Sequence, residues 1–159
     1  MDEMCRFRLI EREDLAFLVA GMNLPEVMER TLTAQPITEE ELYVYTYRSK
    51  RDFWRCIELN GAVVGICAIY GIIDGEGHLA ITVFEEKNRH KGIGTQALYY
   101  LLGEAREMKL HTLYAEMGSF QSFNGIYERA GFSLYKKIEG GCVFCKKSYD
   151  LLTYWKHLT

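Results

Sequence analysis

Two rhythms of apolar and polar positions divide this chain. Residues 5–10 alternate and predict a first strand, after which Leu15, Leu18, Val19 and Met22 recur at helical spacing. Thr38, with Glu41 three residues later, has the form of a capping box and opens a helix through about Arg48. The strand-like runs Phe53–Leu59 and Ala62–Ile73 flank Asn60-Gly61, a strong signal for a two-residue hairpin turn. Gly75 and Gly77 interrupt the chain before another strand over residues 78–84. A polar loop then leads into an amphipathic helix with the core stripe Ala97, Leu98, Leu101, Leu102, Ala105 and Met108.

Residues 111–116 read as a fifth strand and residues 122–130 as a helix stopped by Gly131, a residue suited to the left-handed C′ position. Residues 132–138 and 143–152 read as a final antiparallel pair, which leaves residues 139–142 between the two strands. The order is strand, two helices, three strands, helix, strand, helix, two strands. It predicts one α/β domain over residues 1–159, with a mixed, mostly antiparallel sheet, a parallel strand pair in its middle and flanking helices.

Composition narrows the function. The 159 residues are 48% hydrophobic and 26% charged, enough for a core without staples and too apolar for disorder throughout. A formal charge of −3 argues against a nucleic-acid footprint. The longest apolar run, residues 62–73, falls short of the ~20 residues that span a bilayer as a helix. The first residues lack the basic start and apolar stretch of a secretory signal. Five cysteines without a regular framework favour reduced thiols and a cytoplasmic setting. Cys142 and Cys145 are the close pair. They lack a second pair or suitably spaced His ligands, so no metal is assigned.

The chemistry concentrates between the fourth strand and the amphipathic helix. Gly92 and Gly94 remove side chains where the backbone bends or a ligand comes close, and the first helical turn offers unpaired N–H groups with a favourable dipole for anions. Arg89, Lys91 and Thr95 add donors. The result is a pyrophosphate cradle, and it is neither a Walker loop nor a dinucleotide fingerprint.

At these residues the sequence resembles the GNAT superfamily of acyl-CoA-dependent N-acetyltransferases. Arg89-His90-Lys91-Gly92-Ile93-Gly94 matches that family's Gln/Arg-x-x-Gly-x-Gly/Ala loop. Tyr127-Glu128-Arg129-Ala130-Gly131-Phe132 matches its Tyr-x-x-x-Gly-Phe helix end. The resemblance implies acetyl-CoA as cosubstrate, with its pyrophosphate on residues 89–95 (Arg89, His90, Lys91, Gly92, Ile93, Gly94, Thr95) and its pantetheine arm along the backbone near Val83 and Phe84. It also implies a primary-amine acceptor and a tyrosine, here Tyr127, that protonates the departing thiolate. One position departs from the pattern. Where family members often carry Asn, seven residues before the tyrosine, this chain has Phe120, with Asn124 as the nearest substitute.

A base is also required, since an amine of pKa ~10.4 is almost wholly protonated near pH 7. Glu116, closing the fifth strand, is the first candidate, with His78, Glu76 or a water relay as competitors. Cys56 and Cys67 have no activating base in the pattern, which favours direct transfer over an acetyl-enzyme. Glu26, Glu29 and the run Glu39-Glu40-Glu41 either draw a cationic acceptor or cap solvated helix ends; Tyr43 and Tyr47 either line the acceptor pocket or cover the sheet. An acyl-CoA-binding regulatory module without efficient transfer is the alternative function, and a phosphate- or nucleotide-binding protein of another fold is the third. Edge strands near the C-terminus are candidates for homodimer contacts.

Overall fold

The computed structural model describes residues 4–121 and 125–158. Its architecture grows from the hairpin at Asn60-Gly61. Both residues take positive φ (53° and 82°), the conformation a two-residue primed turn demands. The turn sets β2 (Phe53–Leu59) antiparallel to β3 (Ala62–Ile73). β1 (Cys5–Arg8) joins the outer edge of β2, and β4 (Glu76–Val83) joins the other edge of β3. With β5 (Thr112–Gly118), β6 (Ser133–Phe144) and β7 (Lys147–His157), the sheet runs β1-β2-β3-β4-β5-β7-β6.

The one parallel pairing, β4 with β5, is short: Glu76 to His78 lie opposite Thr112 to Tyr114. Beyond it the strands part, while β4 keeps its ladder to β3 through Val83 and β5 keeps its ladder to β7 through Gly118. A wedge thus opens between two strands that are each held firmly on the other side.

Helices close both faces. Ala97, Leu98, Leu101, Leu102 and Ala105 of α4 (Ile93–Glu107) are buried against Ile57, Cys67, Ile69, Leu79 and Leu113. On the opposite face Leu15 and Leu18 of α1 (Leu15–Met22) and Leu42 meet Ile10, Cys56, Ile66 and Phe84. Each buried Leu, Ile or Phe among them contributes about 1.5–3 kcal/mol on burial. The capping box forms as the sequence predicts, with Thr38 Oγ1 accepting from the Glu41 N–H at 3.1 Å. It starts α3 (Glu39–Tyr43), which widens into a π-helical turn over Val44–Arg48.

Three elements differ from the sequence reading. A helix α2 (Pro25–Arg30) stands where none was expected; Pro25 supplies its first turn, and Val27 is its one buried residue, so it has no periodic stripe to read. The last hairpin turns at Cys145-Lys146, both at positive φ, and not within residues 139–142. The glycine pair instead forms a bulge in β6, where the register slips between Ile138 and Cys142. Val143 therefore ends β6 rather than beginning β7. Finally, α5 spans Ile126–Arg129, with Gly131 at φ 95° just beyond it; residues 122–124 of the expected helix, Asn124 among them, lie outside the described residues.

Candidate active site

The wedge between β4 and β5 opens into two adjoining cavities. The smaller, about 390 Å³, is bounded by Val83, Asn88, Arg89, His90, the start of α4 (Gly92, Ile93, Gly94, Thr95) and Phe120. The larger, about 590 Å³, lies under α2 and the segment after it, and is floored by Tyr70, β4 residues Leu79 to Thr82, and Glu116. Arg30, Thr31, Ile81, Thr82, Gln121 and Tyr127 border both. The cavities meet at Tyr127.

The smaller cavity has the features of an anion site. Gly92 caps α4 at φ 80° and His90 precedes it at φ 61°. These turns aim the first-turn N–H groups of Ile93, Gly94 and Thr95 outward, because the first bond inside the helix is made only by the Gln96 N–H to Gly92 O, at 3.1 Å. The Cβ that Gly94 lacks would stand 3.8 Å from Ile126 Cδ1, an ordinary van der Waals contact.

Arg89 borders this cavity, yet its guanidinium is also turned to the protein. It donates to Val83 O at 3.1 and 3.3 Å, to Phe84 O at 3.2 Å and to Glu26 at 2.6 Å. The arginine ties the parting end of β4 to α2, and the guanidinium in turn holds the Glu26 carboxyl below its usual range. The Phe84 ring lies in the core with Leu15 and Leu18, so its place at the site is its backbone. The Lys91 side chain borders neither cavity.

Tyr127 is 6% exposed, and its ring meets Phe132 edge-on at 5.4 Å. Burial, then the neighbouring Tyr70 phenol, push its proton affinity well above the ordinary tyrosine value. Such a phenol stays protonated at any physiological pH. Tyr70 is likewise raised, by burial and then by the Glu116 carboxylate. Glu116, Tyr70 and Tyr127 thus form a short series of groups that feel one another across the cavity where the strands part.

Of the competing bases, Glu76 accepts a hydrogen bond from Tyr114 Oη at 3.1 Å and His78 stacks between Tyr70 and Tyr114; neither borders a cavity. Glu29 borders the larger cavity, where it accepts from the Cys145 N–H. Tyr43 and Tyr47 lie away from both cavities. Tyr47 donates to Ile10 O, and the Tyr43 ring lies under the Arg12 guanidinium at 4.8 Å. The Glu39 to Glu41 run is the first turn of α3. Burial pushes the Cys56 and Cys67 thiols up to about 12, which removes both as nucleophiles.

The residues missed from sequence are Tyr70 and Gln121. Gln121 accepts from the Gly118 N–H at 2.9 Å and donates to Arg30 O at 2.9 Å, tying the end of β5 to α2 across the junction. Nothing in the local pattern marks either residue. Tyr70 becomes visible only through its strand register.

A parted parallel pair, a helix N-terminus at its mouth and a buried tyrosine between two cavities make up the candidate site. The chain belongs to the acetyltransferase (GNAT) family, whose model matches residues 24–132. Among solved structures it is similar to spermidine N-acetyltransferase from Vibrio cholerae in complex with CoA and spermine (17% identity, 96% of this chain and 95% of that one, TM-score 0.85). It is similar also to an N-acetyltransferase from Staphylococcus aureus Mu50 (21%, 99% and 100%, TM-score 0.80) and to ribosomal-protein-alanine N-acetyltransferase from Brucella melitensis (21%, 98% and 99%, TM-score 0.78). At these identities the likeness shows the fold. No curated protein sequence matches the chain.

Proposed function

We propose that the protein is an N-acetyltransferase that carries the acetyl group of acetyl-CoA to a primary amine by direct attack in a ternary complex. The observation that carries this reading is the meeting of the two cavities at Tyr127. The smaller takes the coenzyme, its pyrophosphate against the first turn of α4 and its pantetheine arm along the parted backbone of β4 near Val83 and Phe84. The larger takes the acceptor.

Glu116 draws a proton from the incoming ammonium, directly or through water, since only about one amine in two thousand is neutral at pH 7. The nitrogen lone pair then attacks the thioester carbonyl. The oxyanion collapses, the C–N bond is kept, the C–S bond breaks, and the Tyr127 hydroxyl delivers its proton to the thiolate sulfur. The second amine proton, passed through water, restores the phenol, and the proton held by Glu116 leaves to solvent. The cleft's burial of the departing thiolate raises that group's proton affinity too, which offsets the weak acidity of a buried phenol.

All five cysteines are free thiols, in keeping with a cytoplasmic setting, and no helix among the described residues is long and apolar enough to cross a membrane. The test is a CoA-release screen across amine classes, run beside calorimetry with acetyl-CoA. Saturable release with at least one amine supports the reading. Tight acetyl-CoA binding without release from any amine identifies a binding module, and absence of binding sinks both.

A further inference from the structure

The larger cavity does not end at Tyr70. Tyr70 on β3 pairs in register with His78 on β4, His78 with Tyr114 on β5, and Tyr114 with Trp155 on β7. Because directly opposed residues share a face, the side chains form one row across four adjacent strands. Ring centroids along it are 5.4 Å (Tyr70 to His78), 5.3 Å (His78 to Tyr114) and 6.3 Å (Tyr114 to Trp155) apart. Tyr135 on β6 completes the row, 4.3 Å from Trp155 and 5.7 Å from Tyr114. The first ring is a wall of the acceptor cavity, and Glu116 stands two residues beyond Tyr114 on the same face of β5. Cavity and row share a floor.

α4 and α5 pack on the opposite face, and α1 and α3 cover the β1 to β3 side of this one. The row is left half-buried, and Tyr135 at its far end is 51% exposed. A contiguous ring surface left open to solvent has the character of an interaction site. At a strand spacing of about 4.8 Å the row extends about 15–19 Å, the length of four or five residues of extended chain. A compact amine fills the cavity and leaves the row empty.

Charge decides among elongated acceptors. The Glu76 carboxylate at the margin accepts from the Tyr114 hydroxyl and keeps its negative charge, so negative charge gathers with Glu116 toward the cavity end of the row. Lys136, opposite Thr153 in the register and next to Tyr135, puts a positive charge at the far end. A polyamine would bring its trailing ammonium toward that lysine. A peptide brings amide planes and side chains that stack on rings, and no obligatory second cation.

Building on the acceptor cavity of the proposed function, we infer that the acceptor is a polypeptide N-terminus: its amine enters the cavity, and the four or five residues that follow lie across the ring row from Tyr70 to Tyr135. Trp155 reports on this directly. Trp54→Phe leaves it the sole tryptophan, and a neutral pentapeptide amide with a small N-terminal residue and an aromatic third residue shifts its emission saturably. The same peptide is acetylated with at least tenfold higher kcat/KM than the matched amino-acid amide or spermidine. Tyr135→Ala, at an exposed position, removes fivefold or more of that advantage and leaves the amino-acid amide within twofold, at unchanged melting temperature. A flat titration, equal kcat/KM for peptide and amino-acid amide, or a Tyr135→Ala change from dimer to monomer in sedimentation overturns the inference; the last would assign the row to a second copy of the chain. If no amine is acetylated at all, the transferase reading fails, and the Trp155 titration still judges the row.

Discussion

Replacing Tyr127 by Phe removes one oxygen from the junction of the two cavities. The ring and its edge-on contact with Phe132 at 5.4 Å remain, so packing is preserved. Loss of a buried hydroxyl costs about 1 kcal/mol of stability, which in a domain of this size lowers Tm by about 2–4 °C. The effect on turnover is far larger if the phenol is the acid. General acids contribute about 10²–10⁴-fold. Burial lifts this phenol's proton affinity, which weakens it as a donor by about 1.4 kcal/mol for each unit of pKa. A loss in kcat of about 10²–10³-fold follows, with acetyl-CoA affinity within threefold because the proposed coenzyme site is the first turn of α4. Initial rates of thiol release measure kcat, and calorimetry measures the affinity. The raised pKa also fixes a sign: the phenol keeps its proton up to strongly alkaline pH, so the wild-type rate shows no fall from tyrosine ionisation below about pH 10. A Tyr127→Phe enzyme within threefold of wild type, or one that abolishes an alkaline limb seen near pH 8, refutes the assignment.

Other perturbations separate binding, packing and charge. Gly92→Ala forces a side chain into the left-handed conformation at φ 80° at a cost of about 1–2 kcal/mol and weakens acetyl-CoA binding five- to tenfold by calorimetry, whereas Gly94→Ala, whose Cβ would make only an ordinary contact with Ile126, stays within twofold. Gly65→Ala would place a Cβ 2.2 Å from Thr82 O, in the backbone of the neighbouring strand; a loss of about 3 kcal/mol or more and a fall in Tm of roughly 6–12 °C are expected in thermal denaturation. Asp14, hydrogen-bonded by Arg8 at 2.8 and 3.1 Å, has its carboxyl held below the usual range by that guanidinium. The unfolded chain therefore binds the proton more readily, so this contribution is complete above about pH 4 and is lost as pH falls through the lower folded-state value. Asp14→Asn should cost about 1–3 kcal/mol at pH 7, with the gap from wild type closing below pH 4 in urea titrations.

What could be read from sequence follows the range of the interactions. The boundaries of β2 and β3 are legible because Asn60 and Gly61 fix them locally, and the α4 stripe because five buried residues recur at one period. The final hairpin misleads for the same reason. Gly140-Gly141 has the composition of a turn, but the pairing of β6 with β7 on both sides of it, from Ser133 to Phe144, outweighs the local preference and makes it a bulge. The turn is left to Cys145 and Lys146, two residues with no special freedom at positive φ. α2 is illegible because a single buried residue, Val27, carries its packing.

The site divides along the same line. His90, Gly92, Gly94 and Thr95 border one cavity within a short stretch of backbone, so the motif that names them also places them. Tyr70 lies 57 positions before Tyr127 in the chain and meets it only because β4 and β5 pair for three residues and then part. The same brief pairing lines Tyr70, His78 and Tyr114 into a row and, a few residues later, opens the cavity beside it. A fourth or fifth parallel pair would close the junction at Tyr127, and one pair fewer would break the row between β4 and β5. The length of that pairing, which no local pattern encodes, sets both the place of the proposed transfer junction and how far the proposed acceptor surface runs from it.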